Sequence, residues 1–446
     1  MRERLRINVS GIRGEVPGAL HVEVVSKFAS AFASTLEQGM TAVCRDSRKT
    51  SPMLAMAVFS SVIAGGLDCV DFGILPTPFL QFLMGKERYS GGIAITGGHN
   101  PNSWNAIILL DREGDYLDIS EGSEVFNTYE AGDFSKASWQ NLGRMKTENF
   151  PVDRYFDELS RVVDAARIRG KKFKVVADPC NGAASLYLGE FCHFFGLDLI
   201  AINDHPEKPS PHPPEPSVDN AAQVEAVVKS TGADLGFLLN SDGSRISFVS
   251  EEGMALSEEM TFPLALLSLQ GQIQRAITTT VTTSWADWAA QEAGIRLSRT
   301  KVGQSSVVHV MESVGAGAGG EGSGSLCLSR FSLAYDSLLM LALILDYLAK
   351  EEKPLSAVTA RFPERCMQKI KVDVPPERTY RVMDRIDELY AKEDPDYTDG
   401  IRVEREGVWF NIRPSATEFV LRITIEGEKK KVVDSVEDEL RDRIRF

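Results

Sequence analysis

The chain has 446 residues, 43% of them hydrophobic and 25% charged, which is ordinary for a globular protein and too long for a single core, so three or four domains are expected. Its 63 acidic and 49 basic residues give a formal charge of −14, which argues against nucleic acid or an anionic membrane as a general partner. A small anion stays open, because a phosphate needs only a few local arginines and backbone N–H groups.

No apolar run reaches the roughly 18–20 residues of a membrane span, and the basic start Arg2-Glu3-Arg4-Leu5-Arg6 has no apolar stretch behind it to make a signal peptide. The six cysteines (Cys44, Cys69, Cys180, Cys192, Cys327, Cys366) lack any Cys-x-x-Cys spacing and read as small core residues in a reducing cytoplasm.

In chain order, the apolar run Gly91-Gly92-Ile93-Ala94-Ile95 reads as a buried strand. The segment Thr96-Gly97-Gly98-His99-Asn100-Pro101 behind it is a glycine-permitted loop, at the strand end where α/β proteins place ligands. The chain changes character over 147–152, ahead of a helical pattern at 155–166. The stretch 205–216 carries six prolines and reads as a long surface loop within a second unit. That unit repeats the strand-then-loop order with Ala233-Asp234-Leu235-Gly236-Phe237-Leu238-Leu239 followed by Asn240-Ser241-Asp242-Gly243-Ser244-Arg245. Glu251-Glu252-Gly253 looks like a turn before a helix at 257–270, and a third loop is Gly319-Gly320-Glu321-Gly322-Ser323-Gly324-Ser325.

Strand, loop and helix in series imply mostly parallel sheets covered on both faces. The tail differs: strand 369–374, helix 379–392, strands 400–404, 408–412 and 420–426, and a charged helix 430–445 make a small α+β domain. The expected division is α/β domains at 1–150, 151–255 and 256–366 and the α+β domain at 367–446.

The loops carry a resemblance. Thr96-Gly97-Gly98-His99-Asn100-Pro101 is similar to the Thr-Ala-Ser-His-Asn-Pro segment of the α-D-phosphohexomutases, the phosphoglucomutases and phosphomannomutases. In the same order as in that family come Val9-Ser10-Gly11-Ile12-Arg13-Gly14, Cys44-Arg45-Asp46-Ser47-Arg48, Gly73-Ile74-Leu75-Pro76-Thr77-Pro78 and Asp178-Pro179-Cys180-Asn181-Gly182-Ala183. Arg299-Thr300-Lys301-Val302-Gly303, Gly320-Glu321-Gly322-Ser323-Gly324 and Arg413-Pro414-Ser415-Ala416-Thr417-Glu418 with Arg422 complete the set. The resemblance covers nearly the whole chain and implies four domains around a central cleft, three α/β and one α+β, in a protein of carbohydrate metabolism whose partner is a phosphorylated hexose or similar anion.

It also assigns residues. Arg13, His99, Asn100 and Arg245 fall on catalytic positions. Gly98 stands where the family has its phosphoryl-carrying serine, and Ile108 where it has an acid/base lysine. Asp242 is the one carboxylate left of three metal-holding positions, the others being Asn240 and Ser244. Because Mg²⁺ is usually held by carboxylates together with ligand phosphate, no cofactor is expected and any Mg²⁺ site would be weak. Lys301, Glu321, Ser323, Arg413, Ser415, Thr417 and Arg422 fall on substrate-binding positions, while the family's histidine after Ser323 is Ser325 here.

Blander readings stand beside these: a polar turn with solvated arginines at 413–422, a mobile glycine-rich loop at 315–325, a solvated Lys301, His99 as a hydrogen-bonder within its loop, and Arg245 paired with Asp242 or with a bound anion. For the whole chain three functions follow. One is a phosphosugar-binding protein that has lost mutase chemistry. The second is a mutase-type phosphotransferase with another phosphoryl carrier, such as Thr96, Ser103 or His99. The third is a structural or assembly partner.

Overall fold

The computed structural model describes residues 5–8, 11–415 and 420–444. The chain forms two compact bodies, one of Met1–Thr261 with Ser323–Ala357 and the other of Phe262–Gly322 with Val358–Phe446.

In the first body a seven-stranded sheet runs in the order Arg6–Asn8, Gly11–Glu15, Trp104–Leu110, Gly91–Ile95, Met40–Arg45, Asp68–Ile74, Met145–Thr147. The last four strands are parallel and the others antiparallel. Gly91–Ile95 is apolar and buried throughout, as expected of a strand covered on both faces. Helices Val22–Thr35 and Ser51–Ala64 contribute Phe28, Phe32, Val58 and Val62 to the core, against Ile93, Ile95, Ile107 and Leu109.

A second sheet runs Ile246–Ser250, Leu235–Leu239, Lys174–Asp178, Asp198–Ala201, antiparallel only at its first pair. The helix Ser337–Glu351 joins this body. Asp336 caps it through the N–H groups of Leu338 (2.9 Å) and Leu339 (3.1 Å) and accepts the Tyr155 hydroxyl at 2.8 Å. Tyr155 in turn packs among Phe79, Phe82, Phe150 and Phe331.

In the second body Arg296–Thr300, Arg275–Thr279 and Ala318–Glu321 are parallel neighbours. An antiparallel sheet, Cys366–Asp373, Val420–Gly427, Val408–Pro414, Ile401–Arg405, carries the helices Pro376–Tyr390 and Lys430–Ile444. The fold is thus three α/β domains and a small α+β domain.

Three sequence expectations change. The helix expected at 155–166 is two, Val152–Leu159 and Ala165–Lys171, because the Asp164 carboxylate accepts Arg167 N–H at 2.9 Å and starts a new helix. The helix expected at 257–270 opens as a 3₁₀ turn, Glu258–Met260, and becomes α-helical only at Thr261–Ser268. The glycine-rich 315–325 is partly sheet: Ala318–Glu321 pairs with Arg275–Thr279, and a Cβ on Gly319 would meet Met311 Sδ at 2.3 Å, so glycine lets the helix Gln304–Val314 lie close against the strand. No helix among the described residues is long and apolar enough to cross a membrane.

Candidate functional site

In the first body, the loops following Met40–Arg45, Gly91–Ile95, Lys174–Asp178 and Leu235–Leu239 gather at the carboxyl ends of parallel strands, where open α/β sheets bind ligands. Asp46 is buried and accepts from Arg48 Nε (3.0 Å), Ser51 Oγ (2.5 Å), Thr96 Oγ1 (3.1 Å) and Gly97 N–H (2.9 Å). Arg48, also buried, donates to the carbonyls of Gly98 (3.1 Å), Asn100 (2.6 Å), Pro101 (2.5 Å) and Trp104 (3.2 Å). One desolvated guanidinium therefore turns the 96–104 loop inward.

A Cβ on Gly97 would lie 2.2 Å from Arg48 Cζ. Gly98 has φ +55°, and a Cβ there would meet a single neighbour, Asp242 Oδ2 at 3.3 Å. A side chain at 98 would thus aim at the Asp242 carboxylate, but glycine places no oxygen there. Asn100 Nδ2 donates to Gly97 O at 2.8 Å, and half-buried His99 belongs to the same turn. Ile108 lies in the strand Trp104–Leu110, between Gly11 and Ala94. Asp46 and Arg48 stood in the sequence only as part of the Cys44-Arg45-Asp46-Ser47-Arg48 resemblance, with no role assigned, although opposite charges straight after an apolar strand were a usable signal.

In the loop 240–245, Asn240 Nδ2 donates to Ser244 Oγ (2.9 Å), which donates to Asp242 Oδ1 (2.7 Å). Asn240 Oδ1 accepts the N–H groups of Ser244 and Arg245, and Asp242 Oδ2 accepts Thr96 Oγ1 at 3.3 Å. The side chains at the three positions that the sequence resemblance assigned to a metal therefore satisfy one another. With one carboxylate, an amide and a hydroxyl already engaged, this donor set does not fit a Mg²⁺ ion, which demands several oxygens in near-octahedral array.

Two arginines border this loop. Arg13, in Gly11–Glu15, is part-buried and donates no side-chain hydrogen bond among the described residues. Burial is the chief cause of its lowered pKa. The like charges of Arg245 and Arg6 add to that, and Tyr116 and Asp242 oppose it. Arg245 pairs with neither Asp242 nor solvent alone. Its Nη1 lies 3.0 Å from Glu215 Oε1 on the proline-rich segment.

That segment is the surface loop its prolines suggest, and it is anchored. His212 Nε2 lies 3.1 Å from the buried Asp178 carboxylate and Nδ1 lies 2.9 Å from Pro213 O, so both ring nitrogens face acceptors. Burial alone would lower the His212 pKa, but the bonds to Asp178 and Cys180 outweigh it and push it up to about 10.

In the second body, Arg413 and Arg422 sit directly opposite each other on adjacent antiparallel strands. Facing like charges disfavour such a pair unless an anion lies between them. Arg422 Nε donates to Ser415 Oγ at 3.2 Å. Arg413 has a lowered pKa, mainly from burial and then from Arg422, while Asp399 and Glu321 oppose the shift. Asp399 Oδ2 also accepts Val302 N–H at 3.0 Å, beside the exposed Lys301. Lys301, Glu321, Arg413, Ser415 and Arg422 thus share one body, and Thr417 lies outside the described residues. Ser323 belongs to the first body, where its Oγ is 3.1 Å from Ser325 Oγ.

Profiles of a known family match in chain order. The phosphoglucomutase/phosphomannomutase alpha/beta/alpha domain I matches residues 4–136, domain II 153–253, domain III 260–366 and the C-terminal domain 370–443. The chain belongs to this family. It is 30% identical over 432 residues to a phosphoglucomutase/phosphomannomutase of Thermococcus kodakarensis, covering 94% of each chain. It is 30% identical over 443 residues to a probable phosphoglucosamine mutase of Methanopyrus kandleri, covering 98% of this chain and 97% of that one. A solved structure of a family member from Burkholderia thailandensis superimposes with a TM-score of 0.82 at 22% identity, covering 98% of this chain and 97% of the other.

Proposed function

We propose that this phosphohexomutase-family protein binds a phosphorylated hexose, or a similar small anion, without the family's phosphoserine and Mg²⁺ chemistry. The observation that carries the reading is position 98. Its side-chain direction points at Asp242, and no atom is there to carry a phosphoryl group. The hydrogen-bonded chain Asn240–Ser244–Asp242 supports it, since phosphoryl transfer relies on cations to stabilise spread negative charge. Ile108 supports it too, having no proton to move. The anion-binding half of the reading rests on Arg13 and Arg245 in one body and on Arg413, Arg422 and Ser415 in the other. These side chains offer forked, charge-assisted donors suited to a phosphate.

Thr96 is a poor replacement carrier. It is buried, its Oγ1 accepts Gly98 N–H at 2.9 Å, and it faces two carboxylates that would repel a phosphate. Titration calorimetry with glucose, mannose and glucosamine 6-phosphates tests the binding. Arg422→Ala is expected to weaken it about 10- to 100-fold, the worth of a charge-assisted contact. Absence of binding at millimolar ligand, or an unchanged affinity in Arg422→Ala, sinks the reading. A phosphoryl adduct that turns over with hexose phosphate, seen by intact mass, would restore the mutase.

A further inference from the structure

We propose that Glu215 is a built-in counter-anion for Arg245, delivered by a clamped proline strap, and that a ligand phosphate must displace it. The inference rests on the phosphosugar reading above and adds a regulating contact to the same site.

The segment 203–216 is held at several points. His205 N–H donates to Asn181 Oδ1 at 2.9 Å, and Asn181 Nδ2 donates to Pro209 O at 2.8 Å. Ser210 exchanges bonds with Asn102, just beyond the Gly98 turn, through Asn102 Nδ2 to Ser210 O at 3.1 Å and Ser210 N–H to Asn102 Oδ1 at 3.3 Å. His212 sits on Oδ2 of the Asp178 carboxylate, which also accepts Asn203 Nδ2 (2.7 Å), while Oδ1 accepts Cys180 N–H (2.8 Å).

Three residues beyond His212 comes Glu215. Its carbonyl is held by Ser217 N–H at 2.9 Å and Asn220 Nδ2 at 2.8 Å. Pro213, Pro214 and Pro216 flank it, so the backbone has little freedom there. The Glu215 carboxylate is therefore presented from a rigid support, and its Oε1 meets Arg245 Nη1 at 3.0 Å.

Arg245 lies close enough to Arg13 for their like charges to contribute to the lowered pKa of the part-buried Arg13 guanidinium. Two such cations beside one loop are unfavourable without an anion, and Glu215 supplies one to Arg245 when no ligand is bound. The pair is half-exposed, with 23% of the Arg245 and 49% of the Glu215 side chain accessible, and ion pairs of this kind are weak. A phosphate dianion carries twice the charge and accepts from both arms of the guanidinium, so it can displace the carboxylate. Arg245 is then presented at the cost of a competition that lowers affinity for monoanions more than for phosphate.

The test is a double-mutant cycle read by calorimetry with glucose 6-phosphate and glucosamine 6-phosphate. Glu215→Gln is expected to tighten binding about 3- to 10-fold, the scale of a lost weak ion pair. The gain should vanish in the Arg245→Ala background, where there is nothing to compete for. Weaker or unchanged binding in Glu215→Gln overturns the counter-anion, the former showing that Glu215 orients Arg245 for the ligand. A gain that persists in Arg245→Ala overturns it as well. If wild type binds and only the Glu215 effect fails, the phosphosugar reading survives. If neither wild type nor Glu215→Gln binds at millimolar ligand, both fail together.

Discussion

At the scale of single residues, Gly97 and Gly98 look alike in the sequence but are needed for different reasons. Gly98 has a positive φ, and a Cβ there would press only on Asp242 Oδ2 at 3.3 Å, which needs to give by a few tenths of an ångström, so Gly98→Ala should cost chiefly the conformational penalty of about 1 kcal/mol. Gly97 has no room, because the Arg48 guanidinium occupies the Cβ position. Arg48 could move only by giving up the carbonyls it holds in the 96–104 loop and the Asp46 carboxylate, so Gly97→Ala should cost more, about 2–4 kcal/mol. Denaturant midpoints of the two variants compare them directly, and equal losses would refute the account of Arg48. The missing oxygen at 98 was legible in the sequence because a residue type alone decides it. The constraint at 97 was not, since its cause lies 49 positions upstream at Arg48 and only folding brings it there.

At the scale of elements, sequence pattern located the tail's strands and helices to within a few residues, because Cys366–Asp373 alternates between part-buried and exposed positions and Val408–Pro414 and Val420–Gly427 are mostly buried runs. It failed where a polar side chain or a missing one made the decision. Asp164 divides a helix, and Ala318–Glu321, for which a mobile loop was one of the readings, is a strand against which Gly319 lets a helix lie close. The proline-rich segment was legible as non-helical, but its attachment was not, because the histidine and the aspartate that fix it are 34 residues apart.

That attachment should respond to pH. The folded-state pKa of His212 is raised from 6.5 to about 10, so the stability it contributes is present in full below about pH 6.5 and is lost as pH rises from there through about 10. Melting temperature should therefore fall across that window more steeply in wild type than in His212→Gln. Parallel pH profiles for the two proteins would show that the Asp178 contact does not depend on the imidazolium charge.

For the molecule as a whole, the proposed reading is that the motifs serving the fold and the arginines are kept while the reactive positions 98, 108, 240 and 244 depart from the family pattern that the sequence resembles. On that reading, the hydrogen bonds within the loop supply a physical reason why the departures at 240 and 244 would belong together. Asn240 and Ser244 bond each other and Asp242, so the loop is satisfied without a cation. Three carboxylates in the same place would repel one another and need one.

The variant combining Gly98→Ser, Asn240→Asp and Ser244→Asp should accordingly be less stable than wild type without metal, by about 2–4 kcal/mol. It should regain stability on adding Mg²⁺, by about 2.7 kcal/mol when the ion is at a hundredfold its Kd. Wild type should show no comparable Mg²⁺ shift in melting temperature. A similar shift in both proteins would mean that Asp242 and its neighbours hold the ion as they stand, and the assignment of lost chemistry would then rest on Gly98 and Ile108 alone.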